Sequence, residues 1–284
     1  MSLYDETLNT IKSNKEVKES GKLLAIPFHR MPNLSKVLPG IRHSMYSIIT
    51  SGTKQSKSQL CDFMFVFQPI EYLLANPECG MDIKILYFSL EMSREDKLAQ
   101  AMSYRLFSEY NILINPTHLM SVFKGYTIES HILDILESVE FKTFFELFES
   151  KVEIIDNVKS PTSMMVKCEK YARDNGKVIY DEVTWEDGSV HKIIKDYVPN
   201  NPNQIVEVIA DHATLFSEKG KTLYESIKMF SSEYAIKLKN KYKYSIVLIQ
   251  QQNSDSTTQQ FNNRGENILD KVRPTREGLT GCKD

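Results

Sequence analysis

Ser51-Gly52-Thr53-Lys54-Gln55-Ser56-Lys57-Ser58 lies between a short apolar run, Tyr46 to Thr50, and a segment in which Leu60, Phe63, Met64 and Phe67 recur at helical spacing. Strand, loop and helix in that order can aim backbone N–H groups and a helix terminus at an anion. In a phosphate loop a Lys reaches the terminal phosphates and a Ser or Thr holds Mg²⁺. Lys57 and Ser58 keep those two roles, while Ser51 and Ser56 stand where glycines are expected. Their Cβ atoms narrow the conformations open to the loop. Taken alone, the octet reads more readily as a solvated turn, and the rest of the chain reverses that balance.

Working outward, the periodicity predicts a helix from Gln59, with a break or kink at Pro69. A second strand, Ile83 to Ser89, leads to Glu91, and Ser93 caps a helix starting near Arg94 with Leu98, Met102 and Leu106 along one face. Helical segments continue to Leu119 and from Ile128 to Phe148. Val152 to Asp156 reads as a third strand and Ser163 to Asn175 as a helix. Ile205 to Ala210 is a fourth strand ending at Asp211; a helix over Leu223 to Leu238 and a fifth strand, Tyr244 to Ile249, follow. This alternation predicts an α/β fold with a mostly parallel central sheet flanked by helices.

Two segments stand outside that rhythm. Residues 1–22 are charged, with Leu3, Leu8 and Ile11 weakly spaced for one helical face, and read as an arm or linker ahead of a core over 23–284. Val178-Ile179-Tyr180 and Val190 to Ile194 flank Glu186-Asp187-Gly188, so a β-hairpin is expected as an insertion at 178–204. Trp185 is assigned to packing within it. Phe28 to Gly40 mixes prolines with apolar residues and reads as irregular.

Composition sets bounds. With 41% hydrophobic residues the 284-residue chain has material for a sizeable core. Its richest apolar run, Phe63 to Phe67, is too short to cross a bilayer, so no membrane role is expected. Cys61, Cys79, Cys168 and Cys282 are scattered and form no metal-binding pair, which suits a reducing, cytoplasmic setting. A net charge of -2 supplies no overall positive field, although a local groove can still hold nucleic acid.

Three polar residues follow strands in the order that phosphate chemistry needs. Asp211 can face Mg²⁺ and its waters, Glu91 can polarise an attacking water, and Gln251 can sense the terminal phosphate. Each has a plainer reading as well: a turn or cap for Asp211, a helix-start acid for Glu91, a loop residue for Gln251.

With those residues in place, the chain resembles the RecA-like motor domain of the DnaB-type replicative DNA helicases, in a phage or mobile-element version. The most specific stretch is Ile85 to Ser93, which resembles the strand and catalytic glutamate of that family. Ile48 to Ser58 matches its phosphate-loop region, Ile209-Ala210-Asp211 its Mg²⁺-associated acid, and Leu248 to Asn253 its strand and polar sensor. The resemblance runs from about residue 22 to 284 and takes in Arg273-Pro274, Leu279 and Gly281.

It implies a RecA-like P-loop NTPase fold and ATP hydrolysis with Mg²⁺. Lys57, Glu91 and Gln251 would be catalytic, Ser51 to Ser58 would bind nucleotide, and Ser58 and Asp211 would hold the metal. It also implies a homohexameric ring that moves along single-stranded DNA and unwinds forked DNA, with a primase or helicase loader as partner, in the cytoplasm of a bacterial host cell if phage-encoded. Asn262, Asn263, Arg264 and Lys271 would approach DNA phosphates from a channel loop, and the motor would continue beyond Asp284, leaving the arginine finger unassigned. The lysines at 237, 239, 241 and 243 read as a charged helix end. Two other functions remain open: a non-unwinding recombination or packaging ATPase, and a catalytically degenerate structural subunit, for which Ser51 and Ser56 argue.

Overall fold

Segments that are apolar almost throughout form strands buried on both faces. A computed structural model describes residues 2–52 and 55–252. Thr53, Lys54, Asn262, Asn263, Arg264 and Lys271 lie outside the described residues. The strands are β1 (Tyr46–Ser51), β2 (Asp82–Ser89), β3 (Val152–Ile155), β4 (Gly176–Thr184), β5 (Val190–Pro199), β6 (Gln204–Asp211) and β7 (Ser245–Gln251). Five of them make one sheet in the order β1-β7-β6-β2-β3, parallel at every pairing. Parallel neighbours require crossovers long enough to hold helices, and these cover both faces.

Side-chain alternation divides the core into two. Ile83, Ile85, Tyr87, Ile205, Ile209, Val247 and Ile249 face one side, where the helix after β1 and its neighbours pack. Leu86, Phe88, Val206, Val208, Ala210, Ile246 and Leu248 face the other, against Met164, Cys168, Phe230 and Leu238.

The helices, in chain order, begin with α1 (Leu3–Glu19), which is closed at its start by a Ser2/Asp5 capping box and buries no residue. After it α2 (Pro32–Ser35) and a bridge between Ile26 and Ile41 organise the irregular lead-in. Gly40 is required there: at φ 113°, a Cβ would sit 2.1 Å from the Ile26 carbonyl oxygen.

Beyond β1, α3 (Lys57–Cys61), a π-helical segment (Asp62–Phe67) and α4 (Gln68–Ala75) form one uninterrupted helix. Of the break or kink expected at Pro69, the break does not occur. Proline lacks an N–H and crowds the carbonyl four residues back. The wider π turn immediately before it relieves that clash, so the helix runs on. It also starts at Lys57, two residues earlier than the apolar spacing indicates.

Next come α5 (Arg94–Tyr110), α6 (Pro116–Leu119), α7 (Ser130–Glu137), α8 (Val139–Lys151) and α9 (Pro161–Asp174). Ser93 caps α5 by accepting the Asp96 N–H, as expected. Before β7 a second composite helix joins α10 (Leu223–Lys228), a π segment (Met229–Tyr234) and α11 (Ala235–Lys241). The lysine run ends that helix, with Lys237 paired to Glu169 at 2.8 Å.

Strands β4 and β5 form the hairpin, antiparallel and separate from the main sheet, with Gly188 at φ 81° in the turn. Tyr197 roots it in the core beside Tyr242 and Tyr244. Trp185 stacks on His191 at 3.9 Å and stays 57% exposed, so its packing partner is the hairpin itself.

Within the sheet, Glu207 of β6 is wholly buried, and among the described residues its carboxyl accepts one hydrogen bond, from the Ser245 hydroxyl at 3.5 Å. Burial pushes its carboxyl well above the ordinary 4.5. The folded protein therefore keeps a proton that the unfolded chain releases. The stability this provides is complete below about pH 4.5 and is lost as pH rises toward the folded value. Glu207→Gln should stabilise the protein at neutral pH by about 1–3 kcal/mol. Denaturation midpoints across the range would show the gap over wild type widening with pH; a constant gap would contradict it.

Candidate active site at the carboxyl edge of the sheet

The ends of parallel strands are where an open α/β sheet collects its ligand-binding groups. Ser51 is in register with Gln251, and Ser89 with Asp211, so β1, β7, β6 and β2 finish along one edge. The Leu90 N–H donates to the Asp211 carbonyl at 2.8 Å and carries Glu91 out beside that acid. Lys57, Ser58, Glu91, Asp211 and Gln251, distant in sequence, are thus gathered on that edge.

The two serines behave differently. Ser51 is the last residue of β1, its carbonyl accepting the Gln252 N–H at 3.0 Å, so a side chain is at home there. Ser56 sits at φ 54°, ψ 32°, the left-handed region that favours glycine. A left-handed L-residue costs roughly 1–2 kcal/mol, offset in part by the greater unfolded freedom of glycine. Ser56→Gly should therefore stabilise the chain by about 0.5–1 kcal/mol, read as a raised denaturation midpoint. A lower midpoint would show that Ser56 is not strained.

Around Gly52 the loop is closed by its own side chains. The Gly52 N–H donates to Gln55 Oε1 at 2.9 Å, and Lys57 Nζ donates to the Gly52 carbonyl at 2.8 Å. Partial burial lowers the Lys57 ammonium below the ordinary amine value, against the opposing pull of Asp211 and Glu91. Both acids therefore lie within electrostatic reach of the lysine.

Ser58 donates to Asp211 Oδ1 at 2.8 Å. On the other side of that carboxylate stands a group that the sequence reading did not anticipate. Tyr87 Oη lies 2.8 Å from both Asp211 Oδ2 and Asp62 Oδ1. Lys97 Nζ is 2.9 Å from Asp62 Oδ2, 3.5 Å from Asp211 Oδ2 and 4.5 Å from the Tyr87 ring centre. All four side chains are buried. Burial alone would lower the Lys97 ammonium, but Asp62 and Asp211 outweigh it and hold it above the ordinary value.

The clue to this group was a lone acid, Asp62, in the apolar run Leu60 to Phe67. Lys97 gave no clue, because the stripe read for α5 was Leu98, Met102 and Leu106, whereas the buried positions are Lys97, Ala99, Ala101, Ser103 and Leu106. His212 was also missed; its ring lies 3.4 Å from Glu91.

The donors suit a hard cation shared with a phosphate. Among the described residues no cluster of three or more His, Cys, Asp or Glu is placed to hold a metal by itself. Mg²⁺ at nucleotide sites takes one or two protein oxygens and fills the rest with phosphate and water, which matches a hydroxyl and a carboxylate oxygen in contact. Among the described residues no helix is long and apolar enough to cross a membrane.

Fold and edge together define an α/β protein with a parallel central sheet flanked by helices, an arrangement consistent with RecA-like architecture. Among solved structures similar to the chain is a DnaB-like replicative helicase, studied with its interactions with primase. Identity is 13% and the TM-score 0.59, over 95% of this chain and 53% of the helicase. The chain spans about half the length of that helicase, and at this identity the likeness is one of fold. No protein-family model and no curated protein sequence matches.

Proposed function

We propose that the protein is an ATP-hydrolysing motor of the RecA-like class that acts on DNA as a replicative helicase. The observation that carries this reading is the single edge on which Lys57, Ser58, Asp211 and Glu91 meet, with Ser58 already bonded to Asp211. Similarity in fold to a DnaB-like helicase and the motif order support the DNA-unwinding part. A homohexameric ring, single-stranded or forked DNA, and a primase or loader belong to the same proposal.

Ser58 and Asp211 would hold Mg²⁺, which neutralises phosphate charge when bound. Lys57 would exchange the Gly52 carbonyl for a phosphate oxygen, and the Gly52 N–H would exchange Gln55 in the same way. Glu91 would take a proton from water as the water oxygen bonds to the terminal phosphorus and the bond to the ADP oxygen breaks. Gln251, at the end of β7, would register the loss of that phosphate. Its register with Ser51 ties the sensor strand to the loop strand.

A titration with Mg²⁺ and ATP tests the site: wild type should saturate, and Lys57→Ala should bind about ten- to a hundredfold more weakly, the value of a charge-assisted contact. A folded wild-type chain that does not saturate would overturn the site and favour a structural subunit. On a forked substrate, ATP-dependent strand separation supports the helicase, while hydrolysis stimulated by DNA without separation supports a recombination or packaging ATPase.

A further inference from the structure

We propose that His212, oriented by Thr214, is a positioning residue that holds the Glu91 carboxylate in its working direction; this rests on the hydrolytic reading of the site. Glu91 follows the end of β2 with its side chain 65% exposed, so burial does not hold its rotamer. The residue next to Asp211 supplies the missing constraint. The His212 side chain is 13% exposed, and its Nε2 lies 3.4 Å from Glu91 Oε2. Its other nitrogen, Nδ1, lies 2.5 Å from the Thr214 hydroxyl.

If the Thr214 hydroxyl donates to Nδ1, the imidazole carries its proton on Nε2, the nitrogen that faces Glu91. The carboxylate then faces, at 3.4 Å, a ring N–H whose direction is set by the protein. The turn bearing this donor is itself anchored, with Ala213 fully buried and Phe216 packed on Phe230. A second tie reaches the same place through the Leu90 N–H and the Asp211 carbonyl. One short segment, 211–214, thus offers a metal-facing carboxylate and aims the base beside it.

Misplacing a reacting group by about an ångström can cost up to a hundredfold in rate. His212→Ala should therefore lower ATP turnover about ten- to a hundredfold in single-turnover assays while leaving the affinity for Mg²⁺ and ATP within about twofold. His212→Gln keeps an N–H near the Nε2 position and should recover most of that loss. Thr214→Val, which removes the orienting hydroxyl, should show an intermediate loss. In a Glu91→Gln background, His212→Ala should add nothing, because the group it positions has already gone.

Wild-type turnover in His212→Ala, a loss that appears as weaker nucleotide binding, or a full additional loss in the Glu91→Gln background would each overturn the positioning role. If Glu91→Gln itself turns over like wild type, or wild type does not turn over, the hydrolytic reading fails and takes this proposal with it. If Glu91→Gln is impaired and His212→Ala is not, the positioning role alone falls. Should His212→Ala fail to fold, the loss in Thr214→Val, and its absence in the Glu91→Gln background, carry the same comparison.

Discussion

Glu91→Gln should reduce ATP turnover by about 10²–10⁴-fold, the contribution a well-placed general base makes, while nucleotide affinity changes by less than about twofold. The substitution keeps the shape of the side chain and removes its ability to take a proton. It also removes one of the two acids acting on Lys57, but Asp211, the larger influence, remains. The phosphate and metal contacts proposed for Lys57, Ser58 and Asp211 would be untouched. The split between rate and affinity is therefore the diagnostic result. A parallel fall in both would make Glu91 part of the binding surface, and unchanged turnover in the assembled protein would remove it from the chemistry. The solvent exposure of Glu91 is consistent with a base that must meet water, and leaves its orientation to neighbouring groups.

Much of the fold was readable because parallel strands buried on both faces appear as unbroken apolar runs. Ile83 to Ser89 and Ile205 to Ala210 were placed to within a residue of β2 and β6 for that reason. Helix interiors were less legible. Pro69 signals a break or kink from local rules alone, whereas the π turn before it lies where Phe65 and Val66 enter the core. The same holds for α5. Of its apolar stripe, Leu98 and Met102 are only half-buried, and the helix turns Lys97 inward toward two carboxylates from other elements.

Among the proposed site residues, those that follow strand ends were legible, since a polar residue after an apolar run is visible in one dimension. Lys57, Ser58, Glu91, Asp211 and Gln251 are all of this kind. Asp62, Tyr87, Lys97 and His212 were not, because their significance lies in contacts across the sheet. Tyr87 belongs to the apolar pattern of β2 and announces nothing until its hydroxyl is found between two acids. The loop shows both limits at once. Both serines look like departures from glycine, yet the backbone makes that a matter of consequence at Ser56 and of none at Ser51.

The buried quartet leads to the second large effect. Lys97→Met should destabilise the fold by about 3–5 kcal/mol, because Asp62 and Asp211 would be left around a tyrosine hydroxyl with one proton to share. The paired change Asp62→Leu with Lys97→Met should restore wild-type stability or exceed it, since apolar groups of similar volume replace a buried ion pair at little cost. Tyr87 would then give its proton to Asp211 alone. Chemical denaturation of both single variants and the double one completes the cycle, and the coupling should be large and favourable. A Lys97→Met protein within about 1 kcal/mol of wild type would show that the ammonium is dispensable to the fold. A double variant as unstable as the single one would show that the polar contacts of the pair, Lys97 to Asp211 and Tyr87 to Asp62, are what the site requires. The expected outcome also separates two functions of one contact: Asp62 and Lys97 neutralise each other, while Tyr87 and Ser58 hold opposite oxygens of Asp211, leaving that carboxylate fixed at the edge of the sheet where a cation would meet it.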